Sequence, residues 1–263
     1  VSETKQFQGS LTKEEVIAGR GDLSPFLVHL TRNGKVKLWA DIYTDLKLDD
    51  SRTIDAKTCL ERIIMSGEIK AVSPFGYFQY KVPWQPIGRP WKNLNSKVQR
   101  HWLRSVCFTE TPIDHVHFQM REIEGRRLAF QPYGLAFWEK SVRAKGGNPI
   151  FYFDSNNTAM RDAFDAMAIS DDCEQYKTLL PMYDSFGPRL FGVGEVDFRW
   201  EREWRVAGDV SFDTHDIAFG ICDQSEIPYF ENMVDQKFPF VDPREDMAAL
   251  KARLRQRISG IKI

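Results

Sequence analysis

The sequence predicts a mixed α+β fold in one domain. Three observations predict it. The chain has 263 residues, within reach of a single large core. Apolar residues make up 42% and charged residues 28%, near the averages for globular proteins, so a real core can form. Strand-like and helix-like segments alternate without a repeat, a low-complexity tract or a linker. The expected core spans about residues 25–222, with a closing helix over 246–258.

In chain order, Thr12 and Glu15 fit a capping box that opens a short helix ending near Gly19. Pro25 to Thr31 is a strand with one polar intruder, His29. Asp55 to Ser66 is a helix with Leu60, Ile63 and Ile64 as its buried stripe and Gly67 in the terminating position. Strands follow at Ser105–Thr109, Tyr133–Trp138 and Pro149–Asp154, the last after a Gly146-Gly147-Asn148 turn. Thr158 to about Tyr183 is mainly helical, broken near Ser170. Gly187, Pro188, Gly192 and Gly194 mark a mobile loop. Glu195–Val206 and Asp216–Cys222 are strands, and Asp246–Ile258 is a basic amphipathic helix.

No run approaches the roughly 18 uncharged apolar residues of a membrane span, and the first residues are polar, so a cytoplasmic protein without a membrane partner is expected. Cys59, Cys107, Cys173 and Cys222 lie too far apart for a metal knuckle or a dense disulfide framework. No Rossmann glycine motif, Walker loop or nucleophile elbow is present. His115 and His117 would share a strand face, but without further ligands at metal-binding spacing no metal is expected.

Three constellations could carry chemistry. In Glu195–Val206 every odd position is charged, and every even one except Arg202 is apolar; the even face would pack on the core and the odd face would meet solvent or a cleft. Glu201 and Glu203 would then share a side about 7 Å apart. Such a pair can divide labour, one carboxylate stabilising a cationic sugar-like transition state and the other handling an acceptor's proton. A charged edge strand facing solvent would show the same pattern. His29 inside an apolar strand needs a partner, either a protein group or a ligand hydroxyl. Nearby are Thr31 and Arg32, whose guanidinium fork matches pyrophosphate oxygens. Finally, no Asp or Glu occurs from Ile69 to Thr109, where seven basic residues interleave with aromatics. Trp84, Arg89, Trp91, Lys92 and Arg100 are its candidates for gripping single-stranded nucleic acid or a dinucleotide.

The order of these motifs is itself a signal. A strand with His29-x-Thr31 is followed by a helix ending in Ser66-Gly67, then the basic segment, then Cys107-Phe-Thr-Glu-Thr-Pro112, Tyr133-Gly-Leu-Ala-Phe137 and Trp200-Glu-Arg-Glu-Trp-Arg205. This series resembles the AbiGi-type abortive-infection family of bacterial phage resistance and, more distantly, DarT-like ADP-ribosyltransferases, over about Leu27 to Val206. The resemblance implies an ADP-ribosyltransferase-like split mixed β-sheet with flanking helices, its cleft holding NAD as substrate. It implies Glu203 as the transferase glutamate and Glu201 as the residue that aids the acceptor. His29, with Thr31 and Arg32 nearby, would hold the adenosine-side ribose, and Tyr133 would stack on nicotinamide. The implied activity is NAD-dependent ADP-ribosylation of RNA or DNA by an antiphage toxin, with a phage protein as another possible target and an antitoxin as a possible partner. The alternative is a non-catalytic antitoxin or phage-sensing binding module whose basic segment grips its partner.

Overall fold

A computed structural model describes residues 24–35, 53–72, 76–80, 98, 100–123, 130–189 and 194–259. The principal strands are β1 (Phe26–Arg32), β2 (Ser105–Thr109), β3 (Phe130–Trp138), β4 (Asn148–Pro149), β5 (Phe151–Asp154), β6 (Tyr183–Pro188), β7 (Glu195–Val196), β8 (Glu203–Ala207), β9 (Ile217–Ile221) and β10 (Phe240–Val241). The helices are α1 (Ala56–Ser66), α2 (Ile113–Gln119), α3 (Glu139–Ala144), α4 (Thr158–Ile169), α5 (Ile227–Met233) and α6 (Met247–Arg257). None of the described helices is long and apolar enough to cross a membrane. The 12–19 helix lies outside the described residues.

Seven strands form one mixed sheet in the order β10-β9-β3-β1-β2-β8-β4, and β7-β6-β5 form a second, smaller one. The large sheet is continuous in name only. β1 pairs with β3 from Phe26 to Arg32, and β2 pairs with β8 along its whole length, yet β1 and β2 share the single register pair Val28 with Thr109. Two half-sheets therefore meet at a point and part on one side of it.

Strand alternation sorts the two faces. Leu27, Leu135, Phe137, Val106, Phe108, Trp204 and Val206 point to the face that α1, α3 and α5 cover with Leu60, Ile63, Val142, Ile227 and Phe230. Phe26, Val28, Ala136 and Phe219 point to the other face, under Ile113 and Val116 of α2 and Leu250 and Leu254 of α6. A third cluster, built from Tyr77, Phe78, Leu103, Phe153, Phe164 and Leu180, centres on the small sheet.

α1 begins where Asp55 accepts a hydrogen bond from the Thr58 amide at 2.7 Å, and it ends because Gly67 adopts φ 62°, which costs a glycine little. The predicted strands at 25–31, 105–109, 133–138 and 216–222, the helix break at Ser170 and the helix over 246–258 have counterparts here. Three expectations are corrected. Pro149–Asp154 is two strands, because β4 pairs with β8 whereas β5 pairs with β6. Gly187 and Pro188 belong to β6 rather than to a loop. His115 and His117 lie in α2, where residues two apart diverge by about 200° instead of sharing a face.

Glu195–Val206 is also corrected, since it is not one strand. A 3₁₀ turn over Arg199–Glu201 and a left-handed Arg202 (φ 48°) separate β7 from β8. The Asp197 carboxylate starts the turn by accepting from the Arg199 amide at 3.0 Å, and Trp200 donates its indole N–H to the Asp197 carbonyl at 2.9 Å. Trp200 is consequently 42% exposed, not core.

Candidate functional site

The parting of β1 from β2 opens a cavity of about 160 Å³. Val28, Leu30, Ile63 and Ile69 give it apolar walls, and His29, Thr31, Arg32, Ser105, Cys107, Thr109, Glu201 and Glu203 contribute polar groups. Its volume is below the ~300–1,000 Å³ of sites that enclose a drug-sized ligand. It has room for a ring and sugar, not for a whole dinucleotide.

His29 and the acidic doublet thus border one space, but from opposite sides of the sheet. His29 shares its face with Leu27 and packs its ring 5.8 Å from that of Phe108. Glu203 is in register with Thr109, and Thr109 with Val28, on the other face. The cavity connects the two faces only because backbone pairing fails there.

Each lining group has a distinct condition. The His29 Nδ1 lies 2.9 Å from the Cys107 carbonyl, so the imidazole donates from Nδ1 and ties the half-sheets together where the backbone does not. Burial lowers the His29 pKa, with the Cys107 carbonyl opposing, and the ring is neutral with Nε2 as an acceptor. Thr31 donates its hydroxyl to the carbonyls of Ala56 at 2.8 Å and Tyr133 at 3.1 Å. Its proton is committed to seating α1 against β1. Arg32 differs from both: among the described residues no carboxylate pairs with its guanidinium, and burial pulls its pKa below the usual arginine value. Lys70, also on the lining, is already paired with Glu68 at 2.6 Å and Asp209 at 3.0 Å. Burial, reinforced by Glu203, holds the Cys107 thiol well above its ordinary pKa, so it is protonated and inert.

The segment Cys107–Thr111 braces the acidic turn. Thr109 donates its hydroxyl to the Glu201 carbonyl and lies 2.6 Å from the Thr111 hydroxyl. Glu110 accepts from Arg202 Nη2 at 3.0 Å and Trp204 Nε1 at 3.1 Å, while its amide donates to the Arg202 carbonyl at 3.1 Å. Glu201 therefore reaches the cavity from a braced turn, and Glu203 from the first residue of β8. The strand spacing expected between them does not apply.

Glu203 is not a bare carboxylate. Its Oε1 accepts from Arg205 Nε at 2.8 Å and its Oε2 from Arg205 Nη2 at 2.9 Å. Arg205 is 1% exposed, so the odd face of this strand meets neither solvent nor an open cleft at that residue. Although burial opposes its charge, Glu203 and Asp184 hold the Arg205 pKa well above normal. Burial and the nearby Glu203 raise the Asp184 pKa. Sequence reading missed Arg205 and Asp184 because an arginine on the charged side of an alternating segment looks solvated, and Asp184 is 21 residues away.

Tyr133 does not line the cavity. Its ring packs near Phe230 at 6.2 Å and its hydroxyl donates to Glu226 at 2.8 Å, away from the split. Trp84, Arg89, Trp91 and Lys92 lie outside the described residues, and Arg100 is described only as the start of a 3₁₀ turn over Arg100–Leu103. Two other aromatics of the acid-free segment, Tyr77 and Phe78, are core residues at 2% and 0% exposure rather than a ligand surface. No group of three metal-ligating side chains occurs among the described residues. No protein-family model, curated protein or solved structure matches this chain.

Proposed function

We propose that the protein is an NAD-dependent ADP-ribosyltransferase, a cytoplasmic antiphage toxin that modifies nucleic acid. The observation that carries this reading is the shared cavity, which sets Arg32, a cation with no carboxylate partner among the described residues, and a neutral imidazole acceptor, His29, in one lining with two carboxylates, Glu201 and Glu203. A diphosphate suits Arg32, a ribose hydroxyl that donates to Nε2 suits His29, and a sugar acquiring positive charge suits the two carboxylates. In this reading the nicotinamide and its ribose enter the cavity toward Glu203 and the rest of NAD stays at the mouth, which its small volume supports.

The step follows from these roles. The bond from the ribose anomeric carbon to nicotinamide breaks, the ring nitrogen leaves with the electron pair, and the carbon gains oxocarbenium character facing Glu203. An acceptor lone pair forms the new bond, and its proton passes to Glu201. Incubation with labelled NAD and RNA, DNA or phage protein tests the reading: nicotinamide release with label on nucleic acid is expected, and no release with any acceptor would contradict it.

One observation favours a second reading, a non-catalytic antitoxin or phage-sensing module. Both Glu203 oxygens already accept from Arg205, as they would in a purely structural site. Such a module would give no calorimetric heat with NAD, and its partner affinity would fall with salt.

A further inference from the structure

Among the described residues Arg205 is the largest of the fully buried side chains, and a charge in that position has to be explained. A lone buried guanidinium is strongly unfavourable, so its surroundings are built to hold it. Nη1 donates to the Pro181 carbonyl at 2.6 Å, Nη2 to Asp184 at 3.1 Å, and Nε and Nη2 to the two oxygens of Glu203. Room is made by Gly76, at φ 86°, where an added Cβ would come within 2.7 Å of Arg205 Nη1 and 2.5 Å of the Tyr183 carbonyl. Three separate parts of the chain, at Gly76, Pro181–Asp184 and Glu203, thus converge on one guanidinium that touches a cavity-lining carboxylate without lining the cavity itself.

We propose that Arg205 is a positioning residue for the transferase reaction, fixing the plane and direction of the Glu203 carboxylate. This inference rests on the functional reading above. A fork-on-fork pair takes one lone pair from each carboxylate oxygen and leaves one on each for a ligand hydroxyl. Without the fork, Glu203 could rotate about its side-chain bonds and lose its aim at the sugar. Asp184 and Pro181 hold the arginine from the small-sheet side, so Glu203 is aimed from outside its own strand.

Steady-state nicotinamide release by R205K, R205M and D184N, each checked for folding by thermal melting, tests this. R205K keeps the charge but not the fork, and its kcat is expected to fall about 100-fold with KM nearly unchanged, the size of effect that slight misplacement of a reacting group produces. R205M should fall further, so lysine gives partial rescue. D184N changes only the arginine's outer partner and should lose about three- to tenfold in kcat; it decides the matter if the Arg205 variants do not fold. Wild-type kcat in folded R205K, or in D184N when R205K is unfolded, would overturn the positioning role while leaving the functional reading in place. An inert wild-type protein would overturn both.

Discussion

The two half-sheets solve different problems. In β10-β9-β3-β1 the interior is apolar on both faces, with Phe26, Leu27, Val28, Ala136, Phe137 and Phe219 all at 1% exposure or less. In β2-β8-β4 only one face is apolar; the other carries Arg205, Glu203 and Thr109. The first half is stabilised by removing hydrocarbon from water, at roughly 25 cal/mol per Å². The second uses desolvated charges, which add little net stability but fix geometry. A cavity bordered by both receives His29, Thr31 and Arg32 on a rigid apolar strand from one and the oriented Glu203 carboxylate from the other.

Mutations on the two sides should therefore fail differently. The largest stability loss is expected for Phe137→Ala, about 3–5 kcal/mol by urea denaturation, with the kcat of the folded fraction unchanged. Glu203→Gln comes next, at about 3 kcal/mol, because it strips a charge from the buried Arg205 while Asp184 remains. Its kcat should also fall, by roughly 100-fold or more. A Phe137→Ala effect on kcat, or a stable and active Glu203→Gln, would erase the distinction between the halves.

Arg32→Met should weaken NAD binding by about 10- to 100-fold in calorimetry, the worth of a charge-assisted hydrogen bond. It should not lower the melting temperature, because the cation removed is partly buried and has no carboxylate partner among the described residues. The smallest effect is on pH dependence. The folded-state pKa of His29 is lowered by burial, so the unfolded chain binds more protons below its ordinary value of 6.5. The His29 contribution is fully present above about pH 6.5 and is lost as pH falls toward the folded-state value. His29→Asn, which keeps a donor for the Cys107 carbonyl, should flatten that acid slope in a melting series from pH 7 to 5.

Local signals made much of the fold legible. Asp55 and Gly67 delimit α1 by capping chemistry, and the apolar runs of β1, β2 and β9 mark strands. Long-range contacts decided the rest. The alternating charges of 195–206 outline a strand, but the Asp197 turn and the Glu110 brace, 92 residues upstream of Arg202, override that local preference. The only sequence cue was an Asp two residues before Arg199, a weak turn signal. His29, Arg32, Glu201 and Glu203 were legible as site candidates because polar groups in apolar strands and paired carboxylates stand out; all four line the cavity. Tyr133 was also named as a candidate but lies away from the cavity, because its orientation depends on Glu226 of a remote turn.

The central claim is that the split between β1 and β2 is where NAD is held. Hydrogen–deuterium exchange with and without saturating NAD tests it most directly. The expected result is slower exchange in 28–32, 105–109 and 201–203, with the α2 and α6 side unchanged. Unaltered exchange in those three segments at saturating NAD would contradict the account.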